Sequence, residues 1–171
     1  MVALLEFVPF DREAAVRYAH RWAYQRNPEY YDYENLGGNC TAFASAATFA
    51  GSGVMNYTPT YGWYYIDAND KAPAWTGVEY FYNFMTRGER SPGPAAVEST
   101  LEETAPGDVV QISFDGVRFA HTVVVVSVGT PAAPSNILIA ANSEDADYRP
   151  LNTYQYKLLR TIHFIGTWRI V

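Results

Sequence analysis

Cysteine is nearly absent from this sequence of 171 residues, which contains one, Cys40. A single cysteine excludes an internal disulfide and a zinc cluster built on cysteine ligands. The three histidines are far apart and show neither HxxxH nor HExxH spacing, so we expect no metal site. The sequence therefore predicts a protein whose chemistry requires no metal or organic cofactor.

Positive charge and long apolar runs are also scarce. Lys and Arg number 12 against 18 Asp and Glu, which gives a formal net charge of −6. The basic residues are scattered, whereas a nucleic-acid-binding face needs them clustered, and no apolar stretch approaches the length of a membrane-spanning helix. Met1 to Phe10 lacks the basic start of a secretory signal, so we expect either no export by that route or a mature sequence. We expect a monomer that neither binds nucleic acid nor inserts into a membrane.

Apolar and aromatic residues, by contrast, are plentiful. Hydrophobic residues make up 49% of the chain, charged residues 18% and aromatic residues 16%. This composition can bury a substantial core, and the length suits one domain over residues 1–171. The excess of tyrosine is typical either of a polar-ligand groove or of plain core and rim packing.

Helical patterns dominate the first half of the sequence. Asp11 and Asn39 are predicted N-caps, and Thr76 with Glu79 forms a predicted capping box. Proline and glycine mark where the helices should stop. The predicted helices run from Asp11 to the Asn27-Pro28 pair, from Cys40 to Gly51, and from Thr76 to Gly88.

Extended patterns follow in the second half. Asp115-Gly116 lies between two apolar runs and predicts a β-hairpin. The predicted strands are Val109–Phe114, Arg118–Val128, Asn136–Ala141 and Thr161–Val171, with a short one near Tyr154–Leu159. Helices followed by an antiparallel sheet define an α+β domain.

Cys40 is the first residue of the second predicted helix. The amides of a helix N-terminus lack intrahelical partners and the helix dipole favours negative charge, so both a thiolate and an oxyanion would be stabilised there. Gly37 and Gly38 would let a substrate backbone approach closely. The alternative is that Cys40 is a small hydrophobic residue on a buried stripe.

His121 is the histidine best placed to act as its base. Strand parity puts it on the same face as Phe119 and Val123, and a sheet histidine opposite a cysteine-bearing helix is what a Cys–His pair requires. A core histidine hydrogen-bonded to a neighbour is the alternative. We expect His20 to be solvated and His163 to be packed.

A third group would be needed to fix the tautomer of the imidazole. Asn142 ends the strand that follows the histidine strand in sequence, and its amide could accept from one ring nitrogen. A strand-end asparagine making a turn is the alternative, and Asp145 and Asp147 are rival orienting residues.

Several blocks together resemble one known family, Amidase_6, the putative amidase domain family. The block Gly37–Ser45 looks like the family's Gly-Gly-Asp-Cys-Thr-Asn-Phe-Val-Ser. The chain departs from the family at Asn39, where members have Asp, at Ala42, where they have Asn, and at Asn142, where they commonly have His. The other similar blocks, in the same order, are Asp11–Ala19, Trp63–Tyr65, Ala74–Val78, Pro106–Gln111, Ala120–Thr122, and Asn142–Asp145 with Pro150-Leu151.

The resemblance implies a fold and an activity. The family is similar to the papain-like NlpC/P60 and CHAP cysteine hydrolases, which cut amide bonds in bacterial cell-wall peptidoglycan. It implies a papain-like fold with Cys40 as nucleophile, His121 as base and Asn142 as orienting residue. Asn39, Trp63, Trp75 and Asp145 are the expected substrate-binding residues. The expected partner is a peptide or muropeptide substrate; the alternatives are a protease or amide-processing effector on a non-wall substrate, and a catalytically inactive papain-like binding module.

Overall fold

The protein, described here over residues 4–171 by a computed structural model, is an α+β structure in which helices cover one face of an antiparallel sheet. The helices are α1 Arg12–Trp22, α2 Cys40–Ser52, α3 Pro73–Thr76 and α4 Val78–Met85. The strands are β1 Leu5–Val8, β2 Tyr65–Asp67, β3 Asp70–Lys71, β4 Gly93–Ser99, β5 Val109–Ser113, β6 His121–Val128, β7 Ile137–Ala141, β8 Ala146–Pro150 and β9 Leu158–Ile170. Short 3₁₀ helices lie at Leu101–Glu103 and Leu151–Thr153.

The seven-stranded sheet has the order β1-β9-β5-β6-β7-β8, and β4 pairs with β9 as well. All of its strand pairs are antiparallel. β2 and β3 form a separate two-stranded ribbon. β6, which begins with His121, therefore lies in the middle of the sheet between β5 and β7.

Three of the predicted local signals are confirmed. Asp11 caps α1, since its Oδ1 accepts a hydrogen bond of 3.0 Å from the backbone N–H of Ala14. The turn around Asp115-Gly116 joins β5 to β6, which pair antiparallel with Ile112 opposite His121. α2 begins at Cys40 as predicted and continues to Ser52, one residue beyond the predicted end at Gly51. Gly53 follows it in a left-handed conformation with φ of 67°.

The other two capping predictions are wrong. The side chain of Asn39 makes no capping bond to α2 because it is engaged elsewhere, as described below. Thr76 and Glu79 form no capping box, since Thr76 ends α3 and Gly77 precedes α4. The carboxylate of Glu79 instead accepts a hydrogen bond of 2.8 Å from Arg160.

The predicted order of helices first and strands second is also incomplete. β1 precedes α1 and pairs with β9, and β4 follows α4 directly. The predicted short strand near Tyr154–Leu159 is not a separate element, because β9 begins at Leu158.

Strand alternation sends successive side chains to opposite faces of the sheet and creates two cores. On the helix side, α1, α2 and α4 pack against residues such as Val109, Val124 and Phe164. On the other side, Val110, Val123 and Val125 pack with Leu151 and Tyr154 beneath the segments that flank the sheet. Within residues 4–171, no helix has the length and apolar character needed to cross a membrane.

Candidate active site

The start of α2 and the start of β6 are joined by a direct hydrogen bond. The hydroxyl groups of Thr41 and Thr122 lie 2.9 Å apart in a buried position. Each threonine immediately follows one of the two residues of the predicted pair, Cys40 and His121. The bond therefore holds the start of α2, where Cys40 lies, against the start of β6, where His121 lies.

Cys40 is half-buried at the first position of α2. Its Sγ lies 3.8 Å from Thr41 Oγ1. No hydrogen bond joins Sγ to His121 in the part of the chain that the structure describes. Hydrogen bonds between catalytic groups are often long or unformed before a substrate binds, so this spacing alone does not decide the role of either residue.

His121 is 8% exposed, and its buried Nε2 has no hydrogen-bond partner among the residues that the structure describes. Burial lowers the pKa of the imidazole, since desolvation disfavours the charged form, and nearby Arg149 acts in the same direction. Glu144 opposes both by favouring the charged form. The ring is thus biased toward the neutral state that a general base requires.

His121 opens onto a surface groove of about 400 Å³. Gly37 and Gly38 form one wall, and Ser143 and Glu144 form another. Both glycines have φ near +100°, a region that residues with a Cβ rarely adopt, which explains why the loop before Cys40 needs glycine here. The groove therefore brings the imidazole and the glycine loop that precedes Cys40 to one open surface.

The loop that leads into Cys40 is clamped by the residues that follow β7. Ser143 Oγ accepts a hydrogen bond of 2.8 Å from the backbone N–H of Asn39, and Asn142 Oδ1 accepts one of 2.6 Å from Asn39 Nδ2. Asn39 Oδ1 in turn accepts a bond from the backbone N–H of Tyr33. Because the N–H of Tyr33 can only donate, the amide of Asn39 is fixed in one orientation.

Asn142, the predicted orienting residue, is directed away from His121. Its Nδ2 donates to the backbone oxygens of Trp22 and Gln25, each at 3.1 Å, and also to that of Ala23. These carbonyls lie at the C-terminal end of α1, where backbone oxygens lack intrahelical partners. Asn142 is 1% exposed and, among the described residues, makes no hydrogen bond to His121. In this structure Asn142 connects α1 to the nucleophile loop.

The acidic rivals for that role are paired with other residues. Asp145, also predicted to bind substrate, forms two hydrogen bonds of 3.2 Å with the guanidinium of Arg26. Asp147 lies 2.8 Å from Nδ1 of His20. The expectation that His20 is solvated is therefore wrong, because this contact and stacking on Tyr148 hold the ring.

Trp63 and Trp75 are both completely buried. Trp63 Nε1 donates to Ser45 Oγ at 3.0 Å, and Ser45 Oγ donates to the backbone oxygen of Trp75. The prediction that these indoles bind substrate is not met in this conformation, because they lie inside the core between α2 and α4. Asn39, also expected to bind substrate, is likewise buried.

Three residues near His121 were not predicted as site residues. Ser143 and Glu34 are hydrogen-bonded to each other at 2.7 Å beside the glycine wall. The ring centroid of Tyr154 lies 5.5 Å from that of His121. Ser143 falls within a block that resembles the family, but nothing in the local sequence distinguishes Glu34 or Tyr154 from other residues of their type.

Comparison with known proteins identifies the family of this chain. The family model described as "Putative amidase domain" (Amidase_6) matches residues 9–165, so the chain belongs to that family, which supports a general amidase role. The chain is also 31% identical over 142 residues to Uncharacterized protein YhbB of Bacillus subtilis (strain 168). That match covers 82% of this chain and 43% of YhbB, so the chain spans less than half the length of this relative. No solved structure matches.

Proposed function

We propose that this protein is a cysteine-dependent amide hydrolase with a papain-like arrangement, in which Cys40 is the nucleophile and His121 the base. The observation that carries the proposal is the hydrogen bond between Thr41 and Thr122. These threonines directly follow Cys40 and His121, so the bond keeps the backbones that carry the proposed pair side by side. Family membership supports the reaction class.

The surroundings of Cys40 support a role in amide chemistry. The side chain of Asn39 does not cap α2. It therefore does not occupy the backbone N–H groups of the first turn, which could bind an oxyanion. The clamp from Asn142 and Ser143 holds the nucleophile loop rigidly, which favours a preorganised site.

The proposed reaction has two stages. His121 removes the thiol proton, Cys40 Sγ attacks the amide carbonyl, and the imidazolium then gives the proton to the departing amine. The acyl group remains on sulfur as a thioester. His121 next takes a proton from water, the hydroxide attacks the thioester, and a carboxylic acid leaves as the thiol is restored.

We propose a peptide of the bacterial cell wall as the substrate class. The likeness of the family to peptidoglycan-cutting hydrolases supports it, and the open groove suits an extended peptide chain. A non-wall amide and a catalytically inactive binding module are the other outcomes that the experiments below separate.

The first test is the rate at which iodoacetamide alkylates Cys40 between about pH 4 and pH 9, in the wild type and in His121→Ala. We expect alkylation that persists well below pH 7 and depends on His121. His20→Ala is the matched control, since His20 lies outside the groove and should leave the profile unchanged. A rate that rises only near pH 8.5, where an ordinary thiol ionises, would contradict the pair.

The second test is digestion of purified muropeptides, with the products identified by mass spectrometry and Cys40→Ala as the blank. New amine and carboxylate ends in the wild-type digest alone would support the wall substrate. Reactive Cys40 without cleavage of several peptidoglycan types would instead support a non-wall amide. Ligand binding that survives Cys40→Ala, without reactive sulfur, would support the binding module.

A further inference from the structure

Two buried polar atoms on neighbouring rings at the candidate pair have no hydrogen-bond partner within residues 4–171. One is His121 Nε2 and the other is the hydroxyl oxygen of Tyr154, which is 6% exposed. Buried polar atoms are nearly always hydrogen-bonded in folded proteins, so an unpartnered atom needs an explanation. Here two such atoms belong to adjacent rings.

The geometry of the rings allows one atom to satisfy the other. Their centroids are 5.5 Å apart and their planes are inclined by 58°. The hydroxyl of a tyrosine extends well beyond its ring, so a hydrogen bond from Nε2–H to the phenol oxygen is within reach of neighbouring rings that turn toward each other, and it would give both atoms a partner. Catalytic hydrogen bonds commonly tighten in this way when the site becomes charged or occupied.

The phenol itself is held in place. The guanidinium carbon of Arg149 lies 3.6 Å from the centre of the Tyr154 ring, and Arg149 Nε donates to Thr153 Oγ1 at 2.7 Å. Arg149 therefore lies over the face of the ring. Burial raises the pKa of Tyr154 and outweighs the opposing effect of Arg149, which keeps the phenol neutral.

We propose that Tyr154 is the positioning residue of His121, an inference that rests on the proposed function. Its phenol oxygen accepts a hydrogen bond from Nε2–H and holds the imidazole in the tautomer whose Nδ1 is free to take the thiol proton. When the ring is protonated, the same oxygen receives the buried N–H that would otherwise remain unpaired. This is the role that was expected of Asn142, which is occupied by Asn39 and the end of α1.

The test compares Tyr154→Phe with Tyr156→Phe. Phenylalanine keeps the ring that packs against Arg149 and removes only the hydroxyl. Tyr156 is half-buried in the same segment and packs against the same core, so its variant is a matched control. We expect alkylation of Cys40 at about pH 6 to fall roughly tenfold in Tyr154→Phe, the size of a lost hydrogen bond to a charged group, and to be unchanged in Tyr156→Phe.

A second measurement reads the tautomer of His121 directly. The ¹⁵N spectrum of the wild-type imidazole should show the neutral ring of His121 protonated on Nε2, and this preference should weaken in Tyr154→Phe. A neutral ring protonated on Nδ1, or identical pH profiles for both phenylalanine variants, would overturn the inference while leaving a reactive pair intact. Wild-type alkylation that does not depend on His121 would overturn the proposed function first.

Discussion

Asp108 and His121 are two buried ionisable residues at the ends of adjacent strands, and their surroundings are opposite. Asp108 is completely buried and each of its carboxylate oxygens accepts two hydrogen bonds. The donors are Arg12 and the backbone of Phe164 on one oxygen, and His163 and the backbone of Ala105 on the other. His121 has a buried nitrogen with no partner.

The comparison separates a structural group from a candidate catalytic one. A buried charge whose hydrogen bonds are all satisfied stabilises one arrangement of the chain and has nothing left to offer a substrate. A buried titratable group with an open position beside a groove is available for proton transfer. Both residues lie in blocks that resemble the family, yet only the three-dimensional surroundings distinguish them.

The largest effect on stability is expected from Asp108→Asn. The amide cannot balance the charge of Arg12, and its NH₂ group faces donors, so we expect the free energy of unfolding in urea to fall by about 3 kcal/mol. Alkylation of Cys40 in the folded variant should match the wild type. Glu13→Gln is the control, because the exposed Glu13–Arg17 pair should contribute less than about 0.5 kcal/mol. Slower alkylation of Cys40 in Asp108→Asn without a loss of stability would contradict the structural role of Asp108.

Asn142→Ala tests whether Asn142 is a structural residue like Asp108 or acts with His121. Removing its amide leaves Asn39 Nδ2 and the carbonyls at the end of α1 unpaired, so we expect unfolding to become easier by about 2 kcal/mol in urea. The shape of the alkylation pH profile should be retained. Asn152→Ala, at an exposed position, is the matched control and should change stability little. A distorted pH profile at unchanged stability would restore Asn142 as the orienting residue.

The smallest effect is the pH dependence that His121 adds to stability. Because burial lowers its pKa in the folded state, the unfolded chain binds a proton more readily, and stability is lost as the pH falls below about 6.5. We expect the stability of the wild type relative to His121→Gln to decrease as the pH is lowered through that window. Urea unfolding at a series of pH values measures this difference, and a constant difference would contradict the lowered pKa.

The sequence predicts those parts of the fold that depend on neighbouring residues. The cap at Asp11, the turn at Asp115-Gly116 and the start of α2 at Cys40 each follow from a few adjacent side chains. β4 was missed because Pro92 and Pro94 indicate a break. Pro94 is tolerated within β4 because it lies at the edge of the sheet, where only β9 pairs with the strand.

The site is predictable to the same extent. Cys40 and His121 were singled out because a helix start and a strand histidine are visible in the local pattern, and their catalytic roles stay a prediction. The contacts of Asn142 could not be predicted, since its partners Asn39 and Trp22 are 103 and 120 residues away along the chain. Composition likewise could not tell that Trp63 belongs to the core rather than to a groove.

The length of β9 bears on the order in which a growing chain can fold. β1, β4 and β5 all pair with this one strand, which is synthesised after every other strand described here. β1 and β4 have no other partner in the sheet, so their edges remain open until translation reaches residues 158–170. Because β6 and β7 pair with each other earlier, the histidine strand can be paired while the opposite side of the sheet is still exposed to aggregation.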